Sequence, residues 1–313
     1  MKRTVVIRPI TISVALFVAI VAFFTIANPS FLSAYNAVTI LNAAIILLAV
    51  GLGQAFVILT GGIDLSVGSI MSLVSVVFML TLEPLGPWAY LLVAANGLAA
   101  GFLNGLIVSK LRIPSFIATL GTQGILLSCA YLLSAEPLAA PDSAGGLLNL
   151  VTGAVGPVQA VWIIGLVLAL LFYYVQRFTQ LGRSIVYIGA NERMSYLSGL
   201  KIDRGRIAAF VLSGLGASVA GIILAATLYS GYPTLGGVYV LNSIATVVVG
   251  GTAMTGGAGG VINTVVGALI MGTINNGLTV VGVDVYAQQV FLGVLIIIAV
   301  AVTFDRKKIT IIK

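Results

Sequence analysis

The stretch VILTGGIDLSVGS, residues 57–69, decides how the rest of the chain is interpreted. It places one carboxylate, Asp64, and the glycines Gly61, Gly62 and Gly68 in the middle of a long apolar region. In a bilayer, a helix can be interrupted only where protein or a water-filled cavity satisfies the freed backbone groups. The stretch therefore predicts a membrane protein with a broken or re-entrant segment at this point.

The composition leads to the same class. Of 313 residues, 60% are hydrophobic and 7% are charged, whereas soluble domains carry roughly 25% charged residues. At roughly 20 apolar residues per crossing, we predict an all-α polytopic membrane protein of about ten transmembrane helices, forming one transmembrane domain over residues 1–313. Since the chain has no His and one Cys, we expect no catalytic site, no metal and no cofactor.

The distribution of charge predicts the topology. All 15 basic residues fall within 2–8, 110–112, 177–206 and 305–313, which together carry +12. Because Lys and Arg collect in cytoplasmic loops, we expect all four clusters, and both termini, to be cytoplasmic. The net charge of +7 is then an orientation signal, and nucleic acid is not an expected partner. Five acids, which lie outside the clusters, carry −5: Asp64, Glu83, Glu136, Asp142 and Asp284.

Ten apolar runs satisfy this topology. We interpret the first as an uncleaved helix, because no small-residue cleavage motif follows it, although a signal peptide is the alternative. The predicted spans are 10–27, 37–59, 65–82, 88–108, 114–134, 158–176, 207–229, 238–252, 260–281 and 286–304.

Two glycine clusters interrupt this pattern without any Lys or Arg. One is the opening stretch, and the other contains Gly250, Gly251, Gly256 and Gly257. Transporters use such breaks to build central sites, so both turns are candidates for re-entrant segments.

Asp64 has two compatible interpretations. An intramembrane carboxylate is costly unless it pairs, caps a helix or faces water. Asp64 or Ser66 could cap the following helix, or Asp64 could lie on a solute path. Amides within spans, which more often join helices, give further path candidates. The candidate translocation path comprises Gln54, Asp64, Ser66, Asn242, Asn275 and Asn276.

Residues 177–206 form the only long polar segment, and we predict that it is a cytoplasmic loop. Within it, Asn191 suits the N-cap and Gly199 the stop of a short helix, with Met194 and Leu197 on one face. Such a helix could lie on the membrane or dock on a partner, and its short length and narrow apolar face favour the partner.

Four runs of the sequence resemble a known family. They are VILTGGIDLSVGS (57–69), NGLIVSKLRIPSFIATLGT (104–122), LGRSIVYIGANERMSYLSGLKID (181–203) and VVVGGTAMTGGAGGVINTVVGALIMGTINNGLTVVGV (247–283). In this order, they resemble the ribose/xylose-type permeases of bacterial ABC importers, in the branched-chain amino acid/sugar permease superfamily.

The resemblance implies a multi-pass protein of the bacterial inner membrane that carries a ribose-like monosaccharide or related solute. The implied partners are a cytoplasmic ATP-binding cassette ATPase, an extracytoplasmic solute-binding protein and a second permease subunit, identical or not. The chain itself lacks a G-x-x-x-x-G-K-[ST] phosphate loop. The resemblance makes the loop an ATPase coupling segment, with candidates Asn191, Glu192, Arg193, Met194, Leu197 and Gly199.

Alternating-access import is thus our leading hypothesis. The alternative is an ion-coupled secondary transporter of small polar solutes with Asp64 as proton carrier, although no second intramembrane carboxylate supports it. A membrane enzyme is a third option, disfavoured because the chain lacks His and clustered acids.

Overall fold

The structure is a computed structural model that describes residues 9–303, with the side chains of residues 9, 296 and 299–303 left undescribed. The basic clusters predicted at the two termini, and with them the cytoplasmic termini, lie outside the described residues.

The described chain is almost entirely helical. Two tiny antiparallel ladders, which the sequence did not predict, join β1 (Leu138–Ala139) to β4 (Ser230–Gly231) and β2 (Ala154–Val155) to β3 (Val158–Gln159). Short 3₁₀ turns lie at Pro29–Leu32 and Asp142–Ala144. The helices are α1 (Pro9–Ala27), α2 (Ala34–Leu59), α3 (Val67–Leu85), α4 (Trp88–Lys110), α5 (Ser115–Leu133), α6 (Gly145–Thr152), α7 (Ala160–Phe178), α8 (Gln180–Ala190), α9 (Glu192–Leu197), α10 (Ile202–Leu228), α11 (Tyr239–Val249), α12 (Val261–Val280) and α13 (Val285–Thr303).

Eight of these helices are long and apolar enough to cross a membrane within the described residues. They are α1, α2, α3, α4, α5, α7, α10 and α12, and they match eight of the ten predicted runs. The two remaining runs give shorter apolar helices, α11 and the Val285–Leu295 part of α13. The predicted span at 238–252 is therefore too long, because α11 has only 11 residues and the chain before it is unwound.

The centre of the molecule is built from α2, α3, α4 and α10. The small residues Gly97, Gly101 and Gly105 of α4 pack directly on α10: a Cβ at Gly101 would strike the carbonyl of Phe210, and one at Gly97 that of Gly214. Backbones that approach so closely gain dispersion contacts, which drive helix association in lipid. This packing brings polar groups of four helices together in the interior.

The predicted loop at 177–206 is mostly helical. Beyond the end of α7, the chain turns at Thr179, whose Oγ1 accepts a hydrogen bond from the Gly182 amide at 3.1 Å and so caps α8. Helix α8 buries Gly182, Ile185 and Ile188 against the rest of the molecule. The sequence predicted only the second helix, which the structure places at α9.

Candidate functional site

Asp64 is fully buried in the break between α2 and α3. Its Oδ1 accepts hydrogen bonds from the Ser66 amide at 2.9 Å and the Ser66 hydroxyl at 2.6 Å, and its Oδ2 accepts one from the Ser213 hydroxyl of α10 at 2.7 Å. Neither of the two ion pairs among residues 9–303 involves Asp64. Hydroxyl and amide donors, rather than a cation, therefore hold this carboxyl group.

Two further side chains extend this network to α2 and α4. The Asn104 Nδ2 donates to the Ser66 hydroxyl at 2.7 Å. The Gln54 side-chain amide, oriented to satisfy both of its groups, donates to the Asp64 carbonyl at 3.1 Å and accepts from the Asp64 amide at 3.3 Å. Ser66 occupies the N-cap position of α3 without a side-chain capping bond, so the expectation that Ser66 caps α3 is wrong: its hydroxyl is directed to Asp64 instead.

The network lies well inside the helical bundle. Ser213 comes 11 residues after the start of α10 at Ile202, which is about 16 Å along a helix that rises 1.5 Å per residue. Asn104 comes six residues before the end of α4 at Lys110, or about 9 Å. Asp64 therefore lies in the interior of the bundle, well away from the start of α10 and the end of α4. Sequence analysis missed Ser213 as a partner, because small residues of this kind commonly line the packing faces of membrane helices.

A second unwound segment, residues 229–238, packs along α3 beside the network. The Gly236 amide donates to the Ser72 hydroxyl at 2.9 Å, and a Cβ at Gly236 would strike the Gly68 carbonyl. Gly68, predicted as a helix break, instead lies inside α3 as the point where this segment touches it. The sequence did show a signal, because serines recur at every third position of α3: Ser66, Ser69, Ser72 and Ser75.

The other candidate path residues lie apart from this network. The half-buried Asn242 donates from its Nδ2 to the Val238 carbonyl at 3.0 Å, within its own turn. On α12, the Oδ1 atoms of Asn275 and Asn276 are buried and have no hydrogen-bond partner in the described part of the chain. Among the described residues, the hydrogen bonds of the Asp64 network therefore include Gln54 and Ser66 but none of these three asparagines.

Both predicted glycine clusters meet the end of α8. The Gly257 amide donates to the Leu59 carbonyl at 3.0 Å, which joins the 250–260 break to the end of α2. A Cβ at Gly189 would strike the same carbonyl, and one at Gly257 would lie 2.5 Å from the Ala190 Cα. We call these contacts among Leu59, Gly61, Gly189–Ala190 and Gly256–Gly257 the glycine junction.

Gln176, near the end of α7, anchors the far side of the 250–260 break. Its Nε2 donates to the Gly259 carbonyl at 3.0 Å, and its Oε1 accepts from the Val261 amide at 2.8 Å. The second bond satisfies one of the free amides at the start of α12. Sequence analysis missed Gln176, since a polar residue near a helix end is an ordinary occurrence.

Helix α9 follows the junction directly and is well defined. The Asn191 Oδ1 accepts from the Met194 amide at 3.0 Å, and Gly199 has φ +78°, so the predicted cap and stop are both confirmed. The side chains of Met194 and Leu197 are 57% and 68% exposed. Glu192 forms a 2.6 Å ion pair with Arg206 of α10, which ties the start of α9 to a long helix.

A cavity of about 970 Å³ opens beside α9. Its walls include Gly61 and Gly62 of the first break, together with Lys110 and Asp203, which form a 2.8 Å ion pair. Both side chains of that pair are largely exposed, so solvent screens their attraction. The cavity therefore reaches from the outer surface of α9 to the first break.

These features define a class. Apolar helices surround a buried polar break, an exposed short helix lies next to that break, and residues 9–303 contain no cluster of metal-ligating side chains. The fold is that of a multi-pass membrane transport protein.

Comparison with known proteins gives the family. Residues 36–300 match the family described as branched-chain amino acid transport system / permease component, and the chain belongs to this family. It is 37% identical to the ribose import permease protein RbsC of Escherichia coli over 298 residues, covering 92% of this chain and 91% of the relative. It is 36% identical to the fructose import permease protein FrcC of Rhizobium meliloti over 300 residues, which cover 92% and 83%. It is 33% identical to the D-allose transport system permease protein AlsC of Escherichia coli over 286 residues, which cover 90% and 87%.

No solved structure matches the chain. The family membership confirms the predicted class: the chain is the multi-pass permease component of a bacterial ABC importer and is not itself an enzyme. The ion-coupled alternative is therefore set aside.

Proposed function

We propose that this permease carries a ribose-like monosaccharide into the cytoplasm by alternating access, powered by a separate ATP-binding cassette subunit. The relatives named above are permeases for ribose, fructose and D-allose, which share a hydroxyl-rich, uncharged surface. Amide and hydroxyl groups inside the bundle suit such a solute, because they form hydrogen bonds without changing charge. An extracytoplasmic binding protein delivers the sugar to the opposite face.

The charges support an orientation for this mode of transport. Lys110 ends α4, Arg112 follows it, and six basic residues lie in 177–206, within or next to α8 and α9. Positive residues mark the cytoplasmic side, so the glycine junction and α9 face the cytoplasm. The exposed acids Glu83, Asp142 and Asp284 then lie on the outer side.

The observation that carries the proposal is the connection between α9 and both helix breaks. Helix α9 exposes Met194 and Leu197 for docking and is joined by Asn191 to the end of α8. There, Gly189 and Ala190 are in backbone contact with Leu59 and Gly257. A displacement of α9 by the ATPase would move both breaks together, because close-packed backbones transmit a displacement when no side chain between them can change conformation to absorb it.

Asp64, Ser66 and Gln54 form the polar part of the proposed path near the first break. In this conformation, their groups bond to one another and to neighbouring helices. Asn242 lies at the start of the short helix α11, where the unwound segment ends. Asn275 and Asn276 each retain a free Oδ1 acceptor, which suits a hydroxyl donor on the sugar.

A second permease subunit completes the proposed pathway. Helix α5 supports this arrangement, because Gly121 and Gly124 are exposed on its surface, and a Cβ at either position would meet no atom within 4 Å. Small residues on an exposed helix let another helix approach closely. Whether the second subunit is identical determines the symmetry of the importer and leaves the role of α9 unchanged.

Uptake by reconstituted vesicles tests the proposal. The permease, its ATPase subunit and its binding protein are placed in proteoliposomes, and uptake of labelled ribose, allose and fructose is measured with and without ATP. We expect uptake of at least one sugar to require ATP and to persist when an uncoupler collapses the proton gradient. Uptake of none of the three would contradict the sugar assignment, and uptake abolished by the uncoupler would contradict ATP coupling.

A further inference from the structure

A second cavity, of about 530 Å³, lies between α7, α8 and the start of α12. Among residues 9–303, its walls carry two cationic side chains, Arg177 and Arg183, and no carboxylate. The larger cavity beside α9 differs, because Glu192 and Asp203 balance part of its positive charge. The smaller cavity is therefore a concave surface of one sign.

Neither arginine is neutralised within the described part of the chain. The two ion pairs of residues 9–303 use Lys110 and Arg206 instead, and Arg177 and Arg183 are both exposed. The turn at Thr179, between α7 and α8, brings both residues to the same cavity. Paired guanidinium groups fit the oxygens of a phosphate better than those of a smaller or less charged anion.

The surroundings indicate where such a phosphate comes from. Leu166, Leu170 and Tyr174 form a stripe along α7 that ends at Arg177, and each of the three is about 60% exposed. On a membrane-spanning helix, such a stripe faces acyl chains. Tyr187 lies at the edge of the cavity, and tyrosines are enriched at the level of lipid headgroups.

We propose that this cavity binds the phosphate headgroup of an anionic phospholipid of the cytoplasmic leaflet. Basic pockets between membrane-spanning helices on that side are known to recognise such headgroups. The phosphate lies between Arg177 and Arg183, and the acyl chains follow the stripe on α7. A bound lipid then braces α8 against α12, next to the glycine junction.

Native mass spectrometry of the purified full-length permease tests this site. The protein in neutral detergent is titrated with phosphatidylglycerol or with phosphatidylcholine of the same chain length. We expect the first bound phosphatidylglycerol to have at least tenfold higher affinity. The double variant R177Q/R183Q should lose roughly tenfold or more of that affinity, since each basic residue contributes about 1 kcal/mol.

The matched control is the double variant K201Q/R204Q. It removes the same charge from the same side of the molecule, but from the cavity that contains carboxylates, and it should keep the affinity within about twofold. The proposed lipid site would be contradicted by an equal loss of phosphatidylglycerol affinity in both double variants. It would also be contradicted if the unaltered protein showed no preference for phosphatidylglycerol. Displacement of the lipid by 10 mM inorganic phosphate would show a free-phosphate site instead. Unchanged lipid binding with lost ATPase association in R177Q/R183Q would assign the arginines to a protein contact.

Because the readout is lipid binding, the result does not depend on sugar transport. It rests only on the orientation proposed above. A thermal-denaturation curve for each variant identifies any that fails to fold, and in that case the single variants R177Q and R183Q decide the question by the same titration.

Discussion

The two helix breaks of this protein are stabilised in different ways. In the break at 60–66, side chains of α5 accept hydrogen bonds from free backbone amides. Ser115 Oγ accepts from the Ile63 amide at 3.0 Å, and Thr119 Oγ1 accepts from the Leu65 amide at 3.0 Å. Asp64 accepts from Ser66 and Ser213. Gly61 is the only residue of this break with positive φ, at +80°.

In the break at 250–260, backbone groups bond mainly to other backbone groups, with further side-chain hydrogen bonds from Thr252, Asn263 and Gln176. The Ala253 amide donates to the Ala258 carbonyl at 3.0 Å, and the Gly257 amide donates to Leu59. The residues with positive φ here are Gly251, Gly256, Gly257, Gly259 and Gly260. The first break thus depends mainly on side chains of other helices, and the second mainly on glycines that adopt positive φ and allow close backbone contact. Substitutions should therefore damage them by different mechanisms.

The largest expected effect is at Gly257. Gly257→Ala forces a side chain into φ +74° and places its Cβ 2.5 Å from the Ala190 Cα. Positive φ alone costs about 1–2 kcal/mol, and overpacking adds about 1–3 kcal/mol. The matched control is Gly282→Ala, where φ is +79° and nothing lies within 4 Å. We expect a clearly larger loss of thermal stability in detergent at Gly257, and equal losses would contradict the close contact with α8.

The next effect is at Asp64. Asp64→Ala leaves the donors of Ser66 and Ser213 unsatisfied in the interior, at about 2–4 kcal/mol. Asp64→Asn keeps an oxygen that accepts hydrogen bonds from Ser66. Its amide nitrogen faces the Ser213 hydroxyl, which then accepts a hydrogen bond instead of donating one. We therefore expect a loss of stability of about 1 kcal/mol or less. Thermal stability of the two variants is the measurement.

Uptake by the same pair tests the function of the carboxyl group. We expect Asp64→Asn to retain ATP-driven uptake, because hydrogen bonding rather than charge positions the break. Complete loss of uptake in a stable Asp64→Asn protein would show that the carboxyl group itself takes part in transport.

These two regions also show what the sequence was able to predict. Hydropathy located α2 and α3 within a few residues, and the carboxylate between them marked the first break. The partners of Asp64 were not predictable in the same way, because Ser213 lies 149 residues away and its hydroxyl looks like that of any small packing residue. Contacts between helices depend on which face each helix turns inward, and nearly uniform apolar sequences do not specify this.

The unwound segment 229–238 was missed for a related reason. Its sequence, YSGYPTLGGV, continues directly into the apolar residues of α11, so the predicted span began at 238 and was given full length. The segment is held by contacts distant in the sequence: the Ser72 hydroxyl, the backbone around Gly68 and the β1–β4 ladder. By contrast, the caps of α9 were predicted correctly, since Asn191 and Gly199 act within a few residues of themselves.

A smaller effect is expected at Gln176, which supports the second break from outside. Gln176→Ala removes the hydrogen bonds to Gly259 and Val261, and the partly solvated site limits the loss to about 1 kcal/mol. Gln289→Ala, on the exposed surface of α13, is the control and should be neutral. A thermal shift at Gln176 as large as that of Gly257→Ala would mean that side-chain bonds also determine the second break.

The smallest effect on the fold is expected at Leu197, and there stability and function should separate. Leu197 is 68% exposed on α9, so Leu197→Ala removes almost no internal packing and should leave thermal stability unchanged. If the ATPase docks there, the same variant loses apolar contact next to the glycine junction. Sugar-stimulated ATP hydrolysis and sugar uptake should then fall together. We expect a decrease of roughly tenfold, which corresponds to a docking residue worth about 1.4 kcal/mol. Leu91→Ala, equally exposed on α4 at 62%, is the control, and both activities should persist in it. Normal ATPase stimulation and uptake in Leu197→Ala would remove α9 from the coupling route, and the link between the two breaks would then be a packing contact alone.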